Sequence, residues 1–246
     1  YYRFEGLQVG VSQPAEEGSG VPITKTINAG KSQTYGVDID ATYRPPSLEG
    51  LSFNLAVNWN KAKFLELNGV PCYGGQTIAA GCNQSLNPVT GRFTARDESG
   101  TPLERAPEWQ MIGGFDYDVA ISNRLRLLFG SSLQHSSSWT SPIGKRADFR
   151  QSGFTKINAS IGVRDEDGRW QVDLIGNNLN NVVRCGYGTN SDFQNTTVLT
   201  ALAQTTGAAS NVGPFGTAHI DEAACIANPG RQVTLKLTVR PFGLFQ

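Results

Sequence analysis

The stretch that decides the fold is Gln232-Val233-Thr234-Leu235-Lys236-Leu237-Thr238-Val239-Arg240, in which apolar residues alternate with polar or charged ones. Successive side chains of a β-strand point to opposite faces, so this segment predicts a strand with one apolar face and one polar face. The same alternation occurs in residues 35–43 and 51–59. The pattern therefore predicts β-structure and is not the period of a helix.

Eight segments of this kind follow one another, near residues 4–11, 35–43, 51–59, 109–119, 125–133, 157–163, 170–174 and 233–239. Their connections alternate between two classes. Short ones, rich in the Pro, Gly, Asn and Asp of turns, lie at 44–50, 121–124 and 165–169. Long ones, rich in Gly, Ser, Thr and Asn, lie near 13–30, 62–105, 135–153 and 180–230.

Transmembrane barrels combine short periplasmic turns with long extracellular loops. The sequence therefore predicts an all-β fold, a transmembrane antiparallel up-and-down β-barrel with about eight strands in this chain. Aromatic residues near both ends of the segments predict two interfacial girdles. Those near the turns or the C-terminus are Tyr43, Tyr117, Trp170 and Phe242, and those near the long loops are Tyr35, Trp59 and Trp109. The alternative is that these rings cap the core of a soluble barrel or sandwich.

Composition argues against several other classes of protein. The 21 basic and 21 acidic residues give a net charge of zero, which does not favour a nucleic-acid surface. No apolar run is long enough for a membrane helix. The two histidines, His135 and His219, lie in predicted loops without the spacing of a metal or catalytic motif. We therefore expect no enzyme, no catalytic residue, no metal site and no cofactor.

Four cysteines lie in two of the long predicted loops and none in a predicted strand. An even count in regions predicted to be exported favours disulfides. Three pairings are possible, and sequence order favours Cys72 with Cys82 and Cys185 with Cys225.

Four further motifs occur in one order along the chain: residues 32–40, Arg105-Ala106-Pro107-Glu108-Trp109, residues 170–181 and Gly230-Arg231-Gln232. Together they resemble the strand motifs of TonB-dependent outer-membrane receptors. The resemblance implies a 22-stranded barrel with a plug domain, energised through TonB, that imports a scarce nutrient across the bacterial outer membrane. The chain opens on strand-like Tyr1-Tyr2-Arg3-Phe4. We therefore expect residues 1–246 to be the C-terminal portion of such a barrel, with the plug absent from this chain.

The resemblance also implies the partners. They are the outer-membrane lipid, TonB acting through the plug, the remainder of the same barrel, and a small-molecule nutrient such as a siderophore or saccharide.

Candidate site residues fall into two groups. Loop side chains that could form a ligand vestibule are Tyr73, Gln76, Trp139, Tyr187 and Asn190, because loops on a rigid scaffold commonly carry binding. Charged residues expected on the lumen face are Asp38, Asp40, Asp116, Asp118 and Lys236. The acidic pairs could contact a plug or a substrate, or could simply solvate a water-filled interior.

Two rival interpretations remain open at the level of sequence. A free-standing eight-stranded barrel would act as an anchor or adhesin, with its interior filled by side chains. A soluble β-sandwich lectin would instead bury the apolar faces against each other.

Overall fold

The computed structural model describes residues 1–13, 23–72, 76–89, 91–140, 150–190 and 223–240. Within these residues the regular structure is all β, and none of them forms a helix long and apolar enough to cross a membrane. The main sheet comprises β1 (Tyr2–Gln13), β2 (Ile23–Tyr43), β3 (Leu51–Glu66), β7 (Trp109–Ala120), β8 (Leu125–Ser136), β11 (Phe154–Asp165), β12 (Trp170–Asn177) and β15 (Gln232–Val239). Short strands in the connections are β4 (Val70–Pro71), β5 (Gln84–Asn87), β6 (Arg92–Arg96), β9 (Trp139–Thr140), β10 (Arg150–Gln151), β13 (Cys185–Asn190) and β14 (Ala223–Ala227).

The eight long strands form one antiparallel sheet in the order β1-β2-β3-β7-β8-β11-β12-β15. Each strand pairs with the next long strand along the chain, as in an up-and-down barrel, which confirms the predicted fold class. The predicted turns connect β2 to β3, β7 to β8 and β11 to β12. Gly50 and Gly168 have positive φ angles there, a conformation that glycine adopts without strain.

The strand register places the apolar residues of neighbouring strands opposite one another. Ile39 pairs with Val57, and Val57 pairs with Met111. At the other end of the sheet, Leu174 pairs with Leu235, whose side chain is 73% exposed. From β2 to β15 one face of the sheet is therefore apolar and open, here called the apolar face, and the opposite one is called the polar face. In β1, Phe4 lies opposite Ser32 and so belongs to the polar face. A one-residue slip in any pair would mix the two faces.

The buried hydrophobic cluster does not lie in this sheet but at its loop end. Phe64, Leu67 and Val70 form the cluster, and Leu7 and Leu103 pack against it. The cluster anchors the connection between β3 and β7 to the middle of β1 and the end of β3. The sheet itself has no second layer within the described residues, so its apolar face has no protein partner there.

All four long connections contain more strand than the sequence predicted, and the one at 135–153 holds the β9–β10 pair. Residues 23–30 belong to β2 and pair with β1, up to the pair Gln13 and Ile23, instead of forming a loop. Their Thr, Asn and Gly content suggested a loop, but a neighbouring strand satisfies their backbone groups. The connection 62–105 holds the three-stranded sheet β4-β6-β5, and 180–230 holds the β13–β14 pair.

An asparagine-rich segment closes the loop end of β12. Asn178 has a positive φ angle, which asparagine tolerates, and its buried amide donates to the carbonyl oxygens of Val182 and Pro229. Asn180 donates to the carbonyl oxygen of Thr155 at 2.7 Å. These amides replace ladder hydrogen bonds where β11, β12 and the entry to β15 diverge, which explains why the sequence repeats asparagine there.

Candidate functional site

The polar face carries a charged cluster near the turns. Asp118 accepts a hydrogen bond from Arg126 Nε at 2.6 Å through one carboxylate oxygen, and from Arg164 Nη2 at 2.7 Å through the other. Arg126 also lies 3.2 Å from Glu166. The cluster joins β7, β8 and β11. A carboxylate that is bound by one arginine at each oxygen is held more strongly than an isolated surface ion pair.

The other predicted charges also belong to the polar face by register. Asp38 accepts a hydrogen bond from the amide of Asn58, the residue opposite it on β3. Lys236 lies opposite Asp173, which accepts two hydrogen bonds from Gln171 at 2.8 and 2.9 Å. Asp40 and Asp116 are exposed, and neither forms a salt bridge within the described residues.

A folded module occupies the connection between β3 and β7. A disulfide joins Cys72 and Cys82, as predicted, with Cα atoms 5.6 Å apart. The bond closes the segment between β4 and β5, and the three short strands lie directly beside it. The cross-link and the Phe64 cluster give this connection a defined shape instead of that of an irregular loop.

Gln76 lies inside this module, not on its surface. Its side chain is 2% exposed, its amide donates to the carbonyl oxygen of Ala80 at 2.9 Å, and its oxygen accepts from Arg96 Nη1 at 3.3 Å. Arg96 is itself buried and lies 3.0 Å from the carboxylate of Glu98. The sequence suggested an exposed ligand contact at Gln76, but these bonds satisfy the amide internally, so its role in the described structure is to hold the module together.

The remaining predicted ligand contacts have different outcomes. Trp139 is partly exposed and lines a cavity of about 640 Å³ at the loop end. Tyr73 lies outside the described residues. The backbones of Tyr187 and Asn190 belong to β13, whereas their side chains lie outside the described part of the chain.

The second cysteine pair lies in strands, contrary to the expectation that no strand holds a cysteine. Cys185 begins β13 opposite Ala227, and Cys225 in β14 lies opposite Gly188. The strands bring the two stretches of backbone side by side, but the cysteine side chains lie outside the described part. The disulfide therefore stays a prediction. Peptide mapping of the non-reduced protein tests it, and free thiols at both positions would contradict it.

Sequence reasoning missed a cation and ring cluster at the loop end of the polar face. The Arg184 guanidinium lies 3.2 Å from the ring centroid of Phe154, and Lys156 Nζ lies 5.9 Å from the same ring. Burial lowers the pKa of Arg184 from its usual value because removal from water disfavours the charged form. No carboxylate forms a salt bridge with Arg184 within the described residues. A single Arg after an asparagine-rich turn gave no signal of this packing.

A local contact also shifts a pKa in the connection between β3 and β7. Ser99 donates hydrogen bonds to the carboxylate of Asp97, and these bonds lower the pKa of Asp97. The pair closes a turn, and Ser99 Oγ also accepts a hydrogen bond from Leu67 N–H at 3.0 Å, so its contacts are those of a structural turn. No group of three or more His, Cys, Asp or Glu residues in the described ranges is placed to hold a metal ion.

Comparison with known proteins gives two findings. The family described as TonB dependent receptor-like, beta-barrel, matches residues 1–181. The fold is similar to the crystal structure of the ferric yersiniabactin uptake receptor FyuA from Yersinia pestis, with a TM-score of 0.55 and 15% identity. The match covers 87% of this chain and 24% of that receptor, so the chain spans about a quarter of the receptor's length. No curated protein matches the chain.

Proposed function

Because the chain belongs to the TonB-dependent receptor β-barrel family, we propose that it supplies the last strands of an outer-membrane receptor that imports a scarce nutrient. Members of this family are transporters and not enzymes. We propose that residues 1–246 form the C-terminal portion of the barrel. The plug domain and the remaining strands would come from outside this chain.

One observation carries the proposal: seven consecutive antiparallel strands, from β2 to β15, keep an exposed apolar face and a polar face in a single register. A soluble sheet with such an apolar face would need a second layer to cover it. A bilayer covers it directly, and the polar face then lines a water-filled lumen. The exposed side chains of Leu235 and Leu237 would lie against lipid.

The polar face then becomes the wall of the transport path. Asp38, Asp40, Asp116, Asp118 and Lys236 would face the lumen. Asp118 is held by two arginines and so has a structural role in the wall, whereas Asp40 and Asp116 are exposed and free of salt bridges in the described structure. These two carboxylates are the better candidates for contact with a plug or a passing solute.

The ligand would bind at the loop end. Arg184 stacked on Phe154, with Lys156 beside the same ring, favours a ligand with negative charge and a flat or apolar part. Tyr73, Trp139, Tyr187 and Asn190 are proposed as further contacts on the surrounding loops. A siderophore has such chemistry, and an acidic saccharide would also meet it.

Energy for import would come from TonB through the plug. A large solute cannot pass a barrel that a plug closes unless the plug rearranges, and the outer membrane has no energy source of its own. The free-standing eight-stranded barrel is less favoured, because β1 and β15 are the two ends of the sheet order and do not pair with each other in the described structure.

The test is uptake by cells that carry the full receptor, grown with limiting iron and supplied with labelled ferric siderophores or saccharides. We expect uptake of one compound class to require both the receptor and TonB. Uptake that continues without TonB would contradict the proposed energy coupling.

The proposed ligand position has its own matched pair of variants. Arg184→Ala should weaken ligand binding about 10- to 150-fold, since hydrogen bonds to charged groups contribute about 1.5–3 kcal/mol. Arg240→Ala, which removes the same charge near the Gly168 turn, should leave binding unchanged. Equal effects of the two substitutions would contradict a site at the loop end.

A further inference from the structure

A two-residue linker, Asn68-Gly69, joins the end of β3 to β4 in the disulfide-linked module. It is the only Asn-Gly sequence in the chain. Leu67 before it and Val70 after it are 4% and 2% exposed and belong to the Phe64 cluster, whereas both residues of the linker are exposed. The linker therefore presents one asparagine to solvent between two buried anchors.

Hydrogen bonds hold the chain on both sides of the linker. Leu67 N–H donates to Ser99 Oγ at 3.0 Å, and the Leu67 carbonyl oxygen accepts from Glu98 N–H at 2.8 Å. Val70 pairs with Arg96 where β4 lies beside β6. The surrounding structure therefore sets the length of backbone that must connect Leu67 to Val70.

The sequence of the linker favours attack of the Gly69 backbone nitrogen on the side-chain carbonyl carbon of Asn68. Glycine has no Cβ to hinder this approach. The space beside Gly69 is open, since apart from its chain neighbours no atom lies within 4 Å of the position of an added Cβ. No backbone hydrogen bond engages Gly69 N–H within the described residues. The nitrogen and the carbon that would react are thus accessible to each other and to water.

We propose that Asn68 is a site of spontaneous deamidation. The Gly69 nitrogen forms a bond to Asn68 Cγ, the bond from Cγ to Nδ2 breaks, and ammonia leaves with the proton that Gly69 loses. Water then opens the five-membered succinimide ring at either carbonyl carbon, which gives aspartate or isoaspartate. Water is the only co-reactant, and the net change is an amide replaced by a carboxylate. The proposal concerns a modification of the module and does not rest on nutrient import.

The new negative charge would face a second carboxylate. In the orientation that satisfies both groups, the Asn68 amide donates to the two carboxylate oxygens of Asp97 at 2.9 and 3.3 Å. Hydrogen bonds from Ser99 lower the pKa of Asp97, so this carboxylate is ionised at neutral pH. Deamidation of Asn68 replaces the donor by a second anion, and two like charges in contact repel each other.

The isoaspartate product would also lengthen the linker. Its main chain runs through the former side-chain carbons, which adds one atom to the backbone between Leu67 and Val70. Because both of these residues are fixed in the Phe64 cluster, the longer backbone has to strain the linker or displace one of them. We therefore expect deamidation to loosen the module and to expose its connections to proteases.

The experiment ages the purified full receptor in detergent in a mildly alkaline buffer and maps its peptides by mass spectrometry. Enzymatic methylation of isoaspartate identifies that product. We expect Asn68 to convert faster than Asn123, an exposed asparagine in the β7–β8 turn that precedes Arg124. Asn87 precedes Pro88, which has no N–H, and should not convert.

Variants separate the reaction from its consequence. Asn68→Gln keeps an amide but would need a six-membered ring, so the modification at this position should be lost. Asn68→Asp carries the charge of the product, and limited proteolysis of the module should proceed about fivefold faster, the factor for two unit charges about 4 Å apart in water. Asn83→Asp adds the same charge elsewhere in the module and should be cleaved as the unchanged receptor is.

Each outcome supports or overturns one part of the proposal. A conversion rate at Asn68 no higher than at Asn123 would overturn the assignment of the site. Equal cleavage rates of Asn68→Asp and Asn83→Asp would overturn the expected loosening. Heat-modifiable gel migration checks that each barrel is folded. If Asn68→Asp does not fold, aged receptor of unchanged sequence is compared with fresh receptor in the same proteolysis assay.

Discussion

The assignment of the two faces can be tested by placing an arginine on each face at the same depth in the membrane. Ile39 lies midway between Tyr35 and Tyr43, the aromatic residues at the two ends of the β2 apolar row. Eight residues span about 26 Å along a strand, and a tilt of roughly 40° reduces this to about 20 Å of height, within the 25 Å apolar band of such barrels. Ile39 would therefore lie near the midplane of the bilayer, with its side chain 52% exposed.

Ile39→Arg should lower the free energy of unfolding by about 2–4 kcal/mol, the cost of an arginine on the lipid face at the midplane. Asp40→Arg is the matched control, because Asp40 is the next residue and lies opposite Ala56 on the polar face. Arginine there remains in water, and we expect a change of less than about 1 kcal/mol.

The measurement is the folded fraction of the full receptor in phospholipid vesicles during a guanidinium titration, read by heat-modifiable gel migration. A larger loss for Asp40→Arg than for Ile39→Arg would show that the faces are reversed. Equal losses would refute the membrane assignment, since they would mean that both faces meet the same solvent.

Two further predictions concern the loop module and the sheet. Replacing Cys72 and Cys82 by serine should reduce the local stability of the module by about 2–3 kcal/mol and speed limited proteolysis between them, with the barrel still folded; an unchanged cleavage rate would contradict this. Gly36→Ala should destabilise the barrel by roughly 1–3 kcal/mol, because an added Cβ would overlap the carbonyl oxygen of Trp59. Gly113→Ala is the control, since the nearest atom to its Cβ would be 3.4 Å away, and both melting temperatures are measured by loss of heat-modifiable migration.

The sequence predicted the main sheet because its determinants are local. The direction of the side chains in a strand repeats every two residues. A turn such as Asp165–Gly168 is set by four neighbouring residues, and here a hydrogen bond from the Gly168 amide to the Asp165 carbonyl oxygen closes it at 2.8 Å. The first part of β2 was not predicted, because residues 23–30 become a strand only through pairing with β1. The amino-acid composition of a segment does not show which other strand will pair with it.

The candidate site was less predictable for the same reason. Polarity alone suggested that Gln76 was exposed, but its burial depends on Arg96, 20 residues away. The Arg184 and Phe154 contact likewise joins the first residue of β11 to a residue in the connection after β12. Loop side chains take their roles from long-range packing, so sequence patterns indicated the region of the site and not its residues.

The edges of the sheet explain why these strands need neighbours in a membrane. β1 and β15 each pair on one side only within the described residues, which leaves a row of backbone amides and carbonyls along each outer edge. In hydrocarbon each unsatisfied group costs several kcal/mol, so even a few on β15 would exceed the 5–15 kcal/mol of a typical folded domain. The apolar face is stable in contact with lipid. The unpaired backbone groups along the two edges are not, because lipid offers them no hydrogen bonds. Both conditions are met when the sheet closes on itself, and we propose that further strands beyond β1 and β15 complete it as part of a larger barrel.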